Sequence, residues 1–248
     1  MKLNIIFVLL MRELSKINKN LFFYILHMTL FPLFLYTVIS LPLSTLILDI
    51  KPVYNNWSAA GIWVVTALFS CYIFSFKLFK SYFSMESFFS LPISPFNFLI
   101  FSYIYSLIIA FIQLFFSILL ISALNSDFIS LTYYFLLSFL FLPVIIIVSN
   151  ISFILSQFDI NETFLIIINL FFFLIICFAL GAFIPLKYFP DSYSRFIDFF
   201  PISGLISNSQ RIIGSDDVSF SLFLISFFIS IILSFLVYLK IEKQITKK

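Results

Sequence analysis

Charge is scarce in this chain. Its 248 residues include 14 Lys and Arg, 11 Asp and Glu and a single His. With 10% charged against 62% hydrophobic residues and a mean hydropathy of +1.17, too little polar surface exists to cover a water-soluble globule of this length. An integral membrane protein is the expectation. Glycine is scarcer still, with four residues, none of which opens a G-x-x-x-x-G-K-[ST] phosphate loop, so the chain is not expected to be its own ATPase. The two cysteines, Cys71 and Cys177, fall in different apolar runs and read as buried free thiols, with no metal or redox motif.

His27 has no second metal ligand near it in sequence, and hydrolase patterns such as a nucleophile elbow are absent. No catalytic constellation for a membrane-embedded enzyme emerges. Carboxylates are also missing from the spans: Asp49, Asp127, Asp159 and Glu162 lie at or beyond span ends, whereas ion-driven carriers place such groups near the bilayer midplane. His27 alone lies well inside a span, either as a packed histidine or as a proton relay. Gln113, Asn150 and Asn169 are polar without titrating and are expected to join helices, while Ser and Thr bond back to helix carbonyls.

What the chain does have is long apolar runs without the strict alternation of barrel strands. Runs of about 20 residues cross roughly 30 Å of hydrocarbon as helices. The expected fold is an all-α integral membrane protein with six transmembrane helices over 21–48, 57–76, 96–124, 131–156, 163–186 and 219–239. An even count places both termini on one side. Lys2, Arg12, Lys16, Lys19, Lys77, Lys80, Lys240, Lys243, Lys247 and Lys248 fall on that side, against Lys51, Lys187, Arg195 and Arg211 on the other. The positive-inside rule makes the terminal side cytoplasmic, in a plasma or inner membrane. The net charge of +3 is small and concentrated at the ends, which argues for membrane orientation and no nucleic acid. The 39 Phe invite a reading as aromatic platforms for a ligand, but AT-rich codons supply Phe, Ile, Lys and Asn alike.

The chain reads as one transmembrane domain over 1–248. Within 1–20, Leu3, Phe7, Leu10, Leu14 and Ile17 recur at steps of three and four, with Arg12, Lys16 and Lys19 opposite, as in an amphipathic interfacial helix. A cleaved signal peptide fits less well, because the charges follow the apolar stretch. The connection over 77–95 carries a charged start, a short amphipathic centre and two prolines, Pro92 and Pro95, which are expected to stop a cytoplasmic helix begun near Ser81 or Ser84. The segment 181–218 interleaves Phe and Ile with Lys187, Asp191, Arg195, Asp198 and Arg211. It is expected to hold two short re-entrant helices, one on each side of 190–195, with Pro185 and Pro201 supplying the breaks.

Three patterns carry a family resemblance: NWSAAGIWVV over 56–65, MESFFSLPIS over 85–94, and GAFIPLKYFP followed by FFPISGLISNSQRIIG over 181–214. Their order and spacing resemble the permease subunits of type-2 ATP-binding-cassette (ABC) exporters. The Arg-Glu-Arg-Gly run of many members is absent, leaving only Glu86 of that acidic pattern. The resemblance implies a membrane-spanning half-transporter paired with a second permease copy, as homodimer or heterodimer. Two separate cytoplasmic ATPase subunits would carry ATP and Mg, with no cofactor on this chain. It further implies ATPase coupling through Ser84, Glu86, Leu91 and Pro92, and an extracellular gate at Gly181, Pro185, Pro190, Pro201 and Arg211. The cargo would be an amphipathic drug, peptide, lipid or lipid-linked glycan. A non-transporting structural or regulatory membrane subunit and an ion-coupled carrier remain the alternatives.

Overall fold

A hydrocarbon solvent offers backbone groups no hydrogen bonds, so apolar runs of this kind satisfy them internally as helices. The computed structural model describes residues 2–50, 52–83, 93–125, 131–158, 161–214 and 217–246. The described residues are 87% helical, with no strand among them. In chain order the elements are α1 (Lys2–Lys19), α2 (Leu21–Phe34), α3 (Tyr54–Phe83), α4 (Pro95–Asn125), α5 (Leu131–Ser156), α6 (Glu162–Leu174), α7 (Asp191–Ile197), α8 (Pro201–Gly214) and α9 (Phe220–Thr246). A π-helical turn, Leu35–Ser40, and a short helix, Leu41–Ser44, prolong α2; a second π-helical turn, Ile175–Ala179, prolongs α6.

Among the described residues five stretches are long and apolar enough to cross a membrane: Leu21–Ser44, Tyr54–Phe83, Pro95–Asn125, Tyr133–Ser156 and Phe220–Lys243. Thr163–Ala179 is a shorter apolar helix. The architecture is therefore that of an all-α membrane protein. One sequence expectation changes here. The helix expected over 163–186 ends at Ala179, because the chain turns at Gly181. Pro95 opens α4: Ser94 Oγ accepts from Asn97 N at 3.3 Å, and proline in the first turn needs no partner for its missing N–H; the expected cytoplasmic helix before Pro92 falls on 84–92, outside the described residues.

The bundle is organised around α3. Some 83% of its apolar stretch is buried by the rest of the protein, against 17% for α9, and α4, α5 and α8 surround it. At one end, Phe79, Tyr82, Phe98 and Phe153 form a buried cluster with Leu9 of α1 and Ile241 of α9. Further along, Trp63, Tyr72, Phe141 and Phe183 are buried together.

Lipid tails are as apolar as leucine, so close packing and hydrogen bonds must hold such helices together. Ser75 of α3 and Ser106 of α4 share a hydrogen bond of 2.7 Å, and Ser106 donates to Ser149 of α5 at 3.0 Å. Thr66 donates to Ser117 at 3.1 Å, joining α3 to α4 a second time. The amides act as expected between helices. Tyr103 donates to Asn150, which donates to Ser234, and Tyr72 donates to Asn169. Gln113 repairs a break in α2: Pro32 has no N–H for the Met28 carbonyl, and Gln113 Nε2 donates to that oxygen at 3.1 Å. Cys71 and Cys177 are buried free thiols.

Candidate functional site

The 179–214 segment is built onto the start of α3. The π-helical turn that ends α6 closes with Leu180 N donating to Ile175 O at 3.1 Å, and Phe183 N then donates back to Cys177 O at 3.1 Å. Gly181 between them has φ +87°, the left-handed region that glycine enters most easily. Side chains distant in sequence hold the reversal. Gln210 of α8 donates to Gly181 O at 2.9 Å, Tyr193 of α7 to Ala179 O at 2.9 Å, and Tyr54 at the start of α3 to Phe183 O at 2.8 Å.

At 14 residues, α8 spans about 21 Å, too short to cross a bilayer. Ser203, Gly204, Leu205, Ile206, Asn208, Ser209 and Ile212 nevertheless bury it against α3, α5 and α9. Asn208 locks the turn into α9, accepting from Ser219 N at 2.9 Å and donating to Ser219 O at 3.1 Å. Between α8, Trp57 and the reversal lies an open cavity of about 360 Å³. Asp198, Lys187, Gln210 and Ser203 give it a polar wall, and the buried Ser203 Oγ has no hydrogen-bond partner among the described residues. Hydroxyl, amide and charge around a recess beside an apolar bundle can bind polar groups, but they include no paired nucleophile and base.

At the opposite end of α3, Glu13 of α1 is a buried carboxylate. Lys16 Nζ donates to both of its oxygens, at 2.7 and 2.9 Å, and Tyr82 donates to Oε1 at 3.1 Å. The Arg12 guanidinium lies 5.2 Å from the Tyr82 ring centroid. This cluster fastens the amphipathic helix to the last turn of α3.

Of the gate candidates, Gly181 makes the reversal, Pro185 precedes the 3₁₀ turn Leu186–Tyr188 and lines the cavity, Pro190 precedes α7, and Pro201 opens α8. Arg211 is exposed and reaches Asp217 O at 3.5 Å, so it sits at the α8–α9 turn and not at the reversal. The expected pair of helices flanking 190–195 is corrected. That stretch begins α7, and what precedes it is a bend with one 3₁₀ turn, because Pro185 and Pro190 leave too few residues for a helix. Arg195, Asp198 and Arg211 form no ion pair among the described residues. The coupling candidates Ser84, Glu86, Leu91 and Pro92 lie outside the described residues.

His27 is hydrogen-bonded through Nε2 to Ser70 at 3.1 Å, and Ser70 donates to Gln113 at 3.3 Å. Its ring stacks 5.5 Å from Phe31. Sequence reading missed Glu13, Tyr54 and Gln210. The acidic residue set among bases on the polar face of α1 was the signal for Glu13; the other two offered none. Compared with known proteins, the chain matches no family model and no curated protein.

Proposed function

We propose that the chain is the membrane-spanning subunit of an ATP-driven exporter, working as a pair of permeases with two separate cytoplasmic ATPase subunits. One observation carries this reading: α3 is a continuous 30-residue helix joined by hydrogen bonds near both ends to other parts of the chain. At one end it holds the Gly181 reversal through Tyr54; at the other it holds α1 through Tyr82, two residues before Ser84 and four before Glu86. A push on that connection would tilt α3 as a rigid body and shift the α7–α8 segment at the far end.

In this reading α6 is the fifth of six spans, both termini are cytoplasmic, and α8 re-enters the membrane from outside to cap the path. The polar interior also favours an external motor over an ion gradient. Among the described residues the buried polar side chains are hydroxyls and amides, and Glu13, the buried carboxylate, belongs to α1. An amphipathic cargo suits the pairing of a polar recess with an apolar bundle.

The test is isolation of the chain from its native membrane in mild detergent. Copurification of a nucleotide-binding chain whose ATP hydrolysis rises several-fold in the complex is expected, with Glu86→Ala lowering that rise. Isolation of the chain with no ATPase, or an ATPase indifferent to it, favours the structural-subunit alternative.

A further inference from the structure

A lipid-sized groove runs down the outside of the bundle along α2, with α3 forming its other wall in the first half. Two adjoining open cavities, each of about 430 Å³, share Phe23 and His27. The first is lined by Asn20, Tyr24, Phe74 and Lys77, and the second continues along α2 to Phe34. From Asn20 to Phe34 is 14 helical steps, or about 21 Å, which matches half of a bilayer roughly 40–45 Å thick including its headgroups. The groove therefore has the depth of one leaflet.

Its two ends differ in chemistry. Lys77 is exposed and lies six residues before the end of α3, about 9 Å inside that end. Its ammonium sits 5.8 Å from the Phe74 centroid, and no carboxylate lies within ion-pair distance among the described residues. Tyr24 stacks on the same ring at 5.1 Å, and His27 meets its edge at 5.8 Å. Lys19 is exposed one residue before Asn20 and adds a second positive charge at the rim, while the nearby Glu13 is already neutralised by Lys16. The deep end is wholly apolar. There Phe31, which lines the groove, packs against Phe69 of α3 at 5.7 Å and Phe173 of α6 at 6.0 Å.

A lysine on a membrane-facing helix surface is costly unless it reaches water or an anion. A cation and polar rings at headgroup level, above an apolar trough one leaflet deep, are complementary to a phosphate head with an acyl chain. We propose that this groove binds one anionic phospholipid from the leaflet on the α1 side, with Lys77 on the phosphate and the chain lying between Phe23 and Phe34. The inference rests on membrane embedding alone and stands apart from ATP-driven export.

Native mass spectrometry of the full chain, exchanged into detergent with defined phosphatidylglycerol or phosphatidylcholine, tests it. Retention of one phosphatidylglycerol is expected, well above phosphatidylcholine. Lys77→Gln should weaken retention about fivefold, the worth of one basic charge near a membrane surface, and Lys77→Arg should restore it. Lys243→Gln, an exposed cation on α9 away from the groove, should leave it unchanged, and equal melting temperatures would establish that all variants are folded. Equal retention of the two lipids, indifference to Lys77→Gln, or a dimer that excludes lipid because the second copy fills the groove would each overturn the proposal.

Discussion

Gly61 of α3 lies against the peptide group of Ala182. A β-carbon built on Gly61 overlaps the Ala182 carbonyl oxygen and stands 2.8 Å from the carbonyl carbon. The obstacle is backbone, so it cannot rotate aside. Gly61→Ala should therefore lower stability by about 2 kcal/mol, within the range for overpacking. Gly204→Ala meets the Leu222 side chain at 3.2 Å and should cost less, below about 1 kcal/mol. Gly181→Ala carries the strain of its left-handed φ, about 1–2 kcal/mol. Thermal unfolding in one detergent checks the order, and an equal effect at Gly61 and Gly204 would contradict the close approach of α3 to the reversal.

Tyr54 holds the same reversal by a single hydroxyl. Tyr54→Phe keeps the ring but leaves the Phe183 carbonyl without its donor, a loss of about 1–2 kcal/mol where no water replaces it. The effect should be local. Hydrogen exchange is expected to quicken over 179–188 and to stay unchanged in α4 and α5; an unaltered 179–188 would show that other contacts suffice.

Glu13 fastens α1 to α3 through Tyr82 and orients Lys16, whose side chain is 46% exposed, so solvent weakens that ion pair. Glu13→Ala should release α1 by about 1 kcal/mol, or roughly fivefold faster exchange of its amides. Glu13→Gln keeps an acceptor for Tyr82 and should fall between. Identical exchange in all three proteins would mean that apolar packing of Leu9 alone docks α1.

Gln113 takes up the carbonyl that Pro32 leaves free, and Gln113→Leu removes that donor without opening a large void. Hydrogen bonds between membrane helices average about 0.6 kcal/mol and reach about 1.7. The variant should fall toward the upper value, because the orphaned Met28 carbonyl has no helical partner of its own. Pro32→Ala in the same background should recover much of the loss by restoring the N–H, and a simple sum of the two effects would contradict the repair.

Much of the helical frame could be read from hydrophobicity, because a backbone in lipid has few choices. The periodic apolar face of 1–20 gave α1, and 131–156 matched α5 at both ends. The end of α6 was harder. Phe183 continues the apolar run past Gly181, yet it is buried by protein, and hydrophobicity alone does not separate a lipid-facing residue from a protein-facing one. At the start of α4 the Ser94 hydroxyl caps the helix that Pro95 opens. Tyr54, Gln210 and Tyr82 act through partners 129, 29 and 69 residues away. Only three-dimensional packing brings such pairs together.

Thiol labelling can follow the proposed motion, in which a segment hung on the start of α3 shifts when ATP acts at the other end of the molecule. A Ser207→Cys variant, at the wall of the cavity beside Gly181, would carry Cys71→Ala and Cys177→Ala and be kept in its native membrane with its partners. Its reaction with a membrane-impermeant maleimide would be followed with and without a non-hydrolysable ATP analogue. A several-fold change in labelling rate on nucleotide binding is expected, abolished by Tyr54→Phe combined with Glu13→Ala. A rate that is the same with and without nucleotide would contradict it.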